Sequence, residues 1–302
     1  VPTSPQGSAR PFRFGVNILE FSSGEEFRQR CRRAEEQGYD ILHVPDHLGW
    51  CAPFPALVAA AQVTERPRLG TFVLNAGFWN PALLAREVAT LDQLSNGRFE
   101  LGLGAGYVKA EHDAAGLPFA SPGGRVDHLE HTVTEVTRLL ADPEQTPRPQ
   151  QEQVPLLIGG NGDRVLRLAA RTAAVAAFTG GRQVRGKPEG TIELIPPGEL
   201  EGRIAALHGF AQGRAEPPEL NYLVQHLAGT GDRRTALERL RPYGPRMSDE
   251  ELLSHPALLV GSAKEMAEQL RAHRERFGLS YFTVLDPHMD AFAPVIEELH
   301  GN

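Results

Sequence analysis

Asp46 and His47 stand side by side at the end of the apolar run YDILHVP (39–45). A histidine titrates near neutral pH, so at such a place it can give or take a proton. The Asp46 carboxylate beside it can orient the ring or raise its basicity. Equally, a histidine here can cap the next helix or bond a backbone carbonyl. A second group closes the run RFELGLG (98–104), where Gly102, Gly104 and Gly106 recur at alternate residues. That spacing is not the dinucleotide fingerprint GxGxxG. Gly102 reads as tight packing inside a strand, and Gly104 and Gly106 as clearance for a flat ring lying close to backbone. Tyr107 follows directly and can donate a proton, although a phenol with a usual pKa of about 10 is a weak acid.

A third group is Gly159-Gly160-Asn161-Gly162, followed by a helix that opens on Asp163-Arg164. Backbone N–H groups at a helix start bind anions, and Arg164 can add charge. The plainer alternative is a glycine-rich turn from strand to helix. His43 lies in the middle of its apolar run and reads as a satisfied core residue. His226 and His288 suit either a substrate-facing or a structural place. No HExxH, GxSxG or P-loop pattern occurs, so zinc-enzyme, serine-hydrolase and kinase readings lack their parts.

These residues need elements to position them. Apolar runs predict strands at 12–18, 39–45, 68–75, 98–104, 155–158, 173–179, 220–228 and 281–285. Helical spacing predicts helices at 25–37, 54–64, 81–94, 125–140, 164–171, 197–212 and 263–277, and the segment after Gly106 is acidic and helix-like. Alternation of this kind predicts a single (β/α)8 TIM barrel. The rival, an open doubly wound sheet, wants its glycine-rich turn after the first strand. There the chain reads VNILEFSSG, without that fingerprint. In a barrel the chemistry collects where strands meet the loops that follow them. Every group named above, apart from His43, leaves a strand at such an exit. Trp50, Phe78, Trp79, Tyr107 and Phe178 are placed to form an apolar, aromatic wall for a planar or hydrophobic substrate.

Residues 1–12 read as a flexible tail and 13–302 as one barrel domain. A glycine-rich, basic stretch near 180–197 reads as a mobile loop, and the polar, Pro-rich 141–153 as a surface linker. The net charge of −7, with no basic run, argues against nucleic acid as a partner. No apolar run approaches the roughly 20 residues of a membrane helix. Only two cysteines occur, Cys31 and Cys51, in no metal-binding spacing, so the expectation is a reduced cytoplasmic protein without a structural metal.

Taken together, AEEQGYDILHVPDHL (34–48), LGTFVLNAGFWNPALLAREVATLDQLSNGRFELGLGAGY (69–107), VPLLIGGNGDRVLRLAAR (154–171) and LLVGSAKEMAEQLRAHRERFGLSYFTV (258–284) resemble the luciferase-like superfamily of flavin and deazaflavin oxidoreductases. The nearest likeness is to the actinobacterial branch that uses coenzyme F420, an 8-hydroxy-5-deazaflavin. The resemblance implies a ring bound at the C-terminal barrel face, with His47 as proton donor or acceptor near the reacting carbon. It implies a non-prolyl cis peptide at Phe72–Val73, with Leu74 beside it, as a backstop to the ring. Gly159, Gly160, Asn161, Gly162 and Arg164 would line the phosphate-bearing tail. It also implies a small organic substrate, a homodimer, and a flavin or F420 reductase as supplier of reduced cofactor.

Two departures stand out. A dehydrogenase branch of that family carries a carboxylate where Tyr107 stands, which counts against a sugar-phosphate substrate. The segment at 141–153 is also short. Three readings therefore remain: an F420-dependent hydride-transfer enzyme, an FMN-dependent monooxygenase on the same fold, and a barrel that binds flavin without catalysis.

Overall fold

Short strands that are apolar on both faces need cover on both sides, and a closed parallel barrel wrapped in helices supplies it. A computed structural model describes residues 10–300 except 185, 188–190 and 230–232, and it has that architecture. In chain order the elements are β1 (Arg13–Asn17), α1 (Gly24–Glu36), β2 (Ile41–Val44), α2 (Pro53–Ala61), β3 (Arg68–Thr71), β4 (Leu74–Asn75), α3 (Pro81–Leu94), β5 (Phe99–Gly104), α4 (Lys109–Ala115), α5 (Pro122–Ala141), β6 (Leu156–Gly159), α6 (Asp163–Thr172) and β7 (Val175–Phe178). They continue with β8 (Gly181–Gln183), β9 (Ile192–Leu194), α7 (Pro197–Phe210), β10 (Glu219–Val224), β11 (His226–Ala228), α8 (Arg233–Leu240), α9 (Asp249–Leu253), β12 (Leu258–Val260), α10 (Ala263–Phe277), β13 (Tyr281–Leu285) and α11 (Met289–Leu299). The barrel runs β1-β2-β3, then β5-β6-β7-β10-β13 and back to β1, with β4 completing the third strand beside β5 and a β3–β5 pairing closing the ring.

Two strand expectations are corrected. The run 68–75 is one strand by pattern but two in space, broken at Phe72–Val73, whose peptide is cis. The run 220–228 also divides. Its second half, β11, leaves the barrel to pair with β12. Among the helices, α8, α9 and α11 lacked a legible signal, and α11 carries Pro294 in its interior. Of the expected tail, residues 1–9 lie outside the described residues, while Arg10 donates to the Pro217 carbonyl and Phe12 is buried against Phe14 and Phe282. The stretch 180–197 holds the antiparallel pair β8–β9. Among the described residues no helix is long and apolar enough to cross a membrane.

Strand alternation sorts the core into two sets. Ile41, Phe72, Leu157, Val175, Ala177 and Tyr281 fill the barrel, while the large cluster containing Leu42, Ala176 and Phe178 lies between barrel and helices. The N-terminal end of the barrel is plugged by charge: Arg13 donates to Glu219 at 2.7 Å and Glu100 at 2.8 Å, and Arg68 also pairs with Glu100. Above the plug His43 is fully buried and bonds the Tyr281 hydroxyl. Gly70 and Gly15 make room for it, since a Cβ there would lie 2.8 Å and 3.0 Å from its ring. His43 is thus the core residue the sequence suggests.

Burial pulls His43 down to about 3, and His255 and His273 each to about 4. In the unfolded chain each titrates at about 6.5, so the unfolded state takes up protons that the fold refuses. Their contribution is whole above pH of about 6.5 and is lost as pH falls toward 4, at roughly 1.4 kcal/mol per pH unit for each. Denaturation midpoints are expected to fall through this window, and His43→Gln should flatten the slope whatever it does to stability at pH 7. Equal slopes for the two proteins would contradict the assignment.

Candidate active site

The three groups marked in the sequence meet at one rim. β2 and β3 pair with Val44 opposite Thr71, and the Phe72 N–H donates to the Val44 carbonyl at 3.0 Å. Asp46-His47 and Phe72-Val73 therefore leave adjacent strands together. One strand further, Asn75 pairs with Gly104 and Gly104 with Gly159. The loops bearing His47, Val73, Tyr107 and Asn161 all rise from the C-terminal ends of neighbouring strands.

His47 has a carboxylate partner, and it is not Asp46. His47 Nδ1 lies 2.7 Å from Glu111 Oε1, on α4. Asp46 faces the other way, where its Oδ2 accepts from Trp79 Nε1 at 3.0 Å and from the Asn75 N–H at 3.2 Å. Burial pushes the Asp46 carboxyl up, and these two donors oppose the shift. The sequence expectation that Asp46 orients the His47 ring is thus corrected: adjacent side chains on an extended segment diverge, and Asp46 serves to fix the Trp79 indole and the β4 backbone.

Glu111 reaches His47 because α4 is anchored by its neighbour. His112 is buried, with Nδ1 3.0 Å from the Pro118 carbonyl and Nε2 3.0 Å from the Asn75 amide nitrogen. The carbonyl takes the Nδ1 proton, which leaves Nε2 to accept from Asn75. Phe78 and Phe119 pack on the same ring at 5.0 and 5.1 Å. α4 has no side-chain cap at its start, so these contacts place it. Neither Glu111 nor His112 was singled out from the sequence. The only signal was an acidic helix-like segment following the glycines.

The aromatic residues separate into different roles. Trp50 and Tyr107 stand edge-on to His47, at 4.8 and 6.2 Å between ring centres. Burial pushes the Tyr107 phenol up, and the Glu111 charge adds to the shift, which makes the phenol a still weaker acid. Trp79 packs on Phe54 and Phe78 on His112. Phe178, expected at the substrate wall, is fully buried in the outer core, because its strand turns Val175 and Ala177 inward and Phe178 outward.

The glycines are corrected in part. A Cβ at Gly102 would lie 1.9 Å from the Thr71 carbonyl oxygen, which supports the packing reading. At Gly104 it would meet Val73 at 2.8 Å, and at Gly106 the Asn75 amide at 2.2 Å. Their clearance is filled by protein. Val73 lies between Gly104 and Gly159, and Leu74 behind it is buried. Gly160 adopts a φ of 147°, and Gly162 begins α6 without a side-chain cap. Asn161 donates to the Gly181 carbonyl at 2.6 Å while its Oδ1 is buried without a partner. Arg164 is held by Asp127 and Glu130 of α5 at 2.6 and 2.9 Å, so its charge is already engaged. His226 and His288 face each other at 5.4 Å on the rim after β10 and β13. Among the described residues no group of His, Cys, Asp or Glu is arranged to hold a metal.

A parallel barrel with an imidazole–carboxylate pair at its C-terminal mouth is the plan of a small-molecule enzyme. The chain belongs to the luciferase-like monooxygenase family, whose model matches residues 7–189. It is 28% identical over 313 residues to an F420-dependent glucose-6-phosphate dehydrogenase of Microbacterium testaceum, covering 95% of this chain and 89% of that one. It is 33% identical over 305 residues to the protein of the same name from Intrasporangium calvum, covering 85% and 87%. Among solved structures, an F420-dependent secondary alcohol dehydrogenase in complex with an F420–acetone adduct superposes with a TM-score of 0.76 at 18% identity, covering 96% of this chain and 98% of that one, a likeness of fold.

An imidazole N–H bonded to a carboxylate gives a proton resonance well downfield of the amides. For His47 it is expected in the native protein and in Tyr107→Phe, and absent in Glu111→Gln. If His112 places α4, His112→Phe should also lose it. A His112→Phe protein that keeps the resonance would show that α4 is held by something else.

Proposed function

We propose that this chain is a coenzyme F420-dependent oxidoreductase that moves hydride to or from a small organic substrate, with His47 exchanging the accompanying proton. The observation that carries the reading is the His47–Glu111 contact at the barrel mouth. Val73 and Leu223, both half-buried, cap the apolar barrel interior at the same end. The names of the relatives support the choice of coenzyme.

The residues present fit such a group. Val73 and Leu223 offer apolar surface to a flat ring. The side-chain oxygens of Asn17 and Asn161 are buried without partners and can accept from ring N–H or chain hydroxyl groups. The uncapped start of α6 leaves N–H donors for a phosphate. When bound, the coenzyme supplies hydride transfer at the ring carbon that replaces the flavin nitrogen.

The chain supplies the remainder. Glu111 accepts from Nδ1, which orients the ring and leaves Nε2 as the atom that takes or gives the proton. Asp46, His112 and Asn75 hold the two loops that carry this pair. Trp50 and Tyr107 stand edge-on beside the His47 ring.

The family's monooxygenases favour a second reading, with reduced FMN and oxygen. Titration with each cofactor, followed by visible absorbance and by oxygen uptake, separates the two. The account expects F420 to bind and to be reduced or oxidised with a panel of alcohols and carbonyls without oxygen consumption. His47→Ala should keep the coenzyme and lose about 10²–10⁴-fold in turnover. Oxygen uptake coupled to FMNH2, with no binding of F420, would overturn the proposal; F420 binding without turnover across the panel would mark a non-catalytic barrel.

A further inference from the structure

A cleft of about 380 Å3 opens beside His47, between the loop after β2 with the start of α2 on one side and Trp79 with Glu87 of α3 on the other. Asp46 and His47 form one side of it. Leu48, Trp50, Phe54, Pro55 and Trp79 supply apolar walls. Leu48 and Trp50 are 48% and 41% exposed, a large apolar opening that the described residues leave uncovered. Trp79 is a fixed wall, held through Asp46 and packed edge-on against Phe54. The size lies within the range of small-ligand pockets.

The charge of the cleft is one-sided. No lysine or arginine lines it, and its two carboxylates are Asp46 and Glu87. The start of α2 also lines it, and a helix start ordinarily offers N–H groups to an anion. Here Pro53 and Pro55 occupy the first and third helical positions, and proline has no N–H to give. The Ala56 N–H is used by the Ala52 carbonyl. Of the N–H groups at this helix start, only that of Phe54 is left. A phosphate or carboxylate placed here would meet Asp46, and Glu87 with its Arg86 partner at 3.7 Å, with no lysine or arginine among the lining residues.

We propose that the substrate is an uncharged organic molecule whose apolar body seats in this cleft, and that sugar phosphates and carboxylates are excluded from it. This rests on the reading of His47 as the proton-exchanging group, and it sets the chain apart from the relatives whose names specify glucose 6-phosphate.

The chain has two tryptophans, and both line the cleft, so tryptophan emission reports on it without any cofactor. The full chain is titrated at constant ionic strength with cyclohexanol, with 2-decalone and with glucose 6-phosphate. The expected result is a saturable change with the two uncharged probes, at concentrations at least about tenfold below any effect of glucose 6-phosphate. Trp50→Phe and Trp79→Phe, each leaving one reporter, should give the same order of probes. Saturation by glucose 6-phosphate at equal or lower concentration, or no response to either uncharged probe, overturns the proposal. F420 binding is read separately by its own absorbance. A chain that binds F420 yet prefers glucose 6-phosphate loses this inference and keeps its proposed function; one that binds the uncharged probes and not F420 does the reverse.

Discussion

The placement of one short helix decides the chemistry of this barrel. α4 carries Glu111 to His47, and α4 is located by a buried imidazole with a fixed pattern of donors and acceptors. His112 gives its Nδ1 proton to the Pro118 carbonyl and receives the Asn75 amide at Nε2. Asn75 is tied in turn to Asp46 through its backbone, and Asp46 to Trp79. The loops after the second, third and fourth barrel strands are thereby joined in one polar chain at the mouth. A buried chain of this kind stabilises a single geometry because an unmatched member would cost about 1–3 kcal/mol.

The two ends of the barrel differ in a way that suits this division of labour. The N-terminal end is closed by Arg13, Glu100, Glu219 and Arg68, a set in which each buried carboxylate meets a guanidinium. Removing one partner from such a cluster costs about 3–5 kcal/mol, because the other charge is left buried. Among the described residues the C-terminal end has no such plug. Val73 and Leu223 lie half-buried there, with polar oxygens of Asn17 and Asn161 left without partners. A base locked by ion pairs and a mouth with polar oxygens free to accept are what a binding barrel requires.

The sequence conveyed the frame well because the frame rests on local pattern. Apolar runs of strand length separated by helical spacing leave few arrangements besides the barrel, and the exits of those runs located Asp46-His47 and the glycine loops, whereas the cis peptide at Phe72–Val73 came from the family resemblance alone. What escaped was anything decided by side-chain direction. Asp46 and His47 are adjacent in sequence and diverge in space, so the partner of His47 came from 64 residues away. Phe178 looked like a wall residue at a strand end, but its place in the inward–outward alternation sent it to the core. Gly104 and Gly106 read as clearance for a ring, and pattern alone could not say that Val73 and Asn75 fill that space. β11 follows β10 across the single residue Gln225, and only pairing with β12 reveals that it leaves the barrel.

The central claim is that a flat coenzyme occupies the mouth formed by these loops. Amide hydrogen–deuterium exchange of the chain with and without coenzyme F420 tests it most directly. The account predicts slowed exchange at 46–50, 73–77, 104–111 and 159–165, with the base around Arg13, Arg68 and Glu219 unchanged. Protection confined to the base, or none at the mouth under saturating F420, would contradict it.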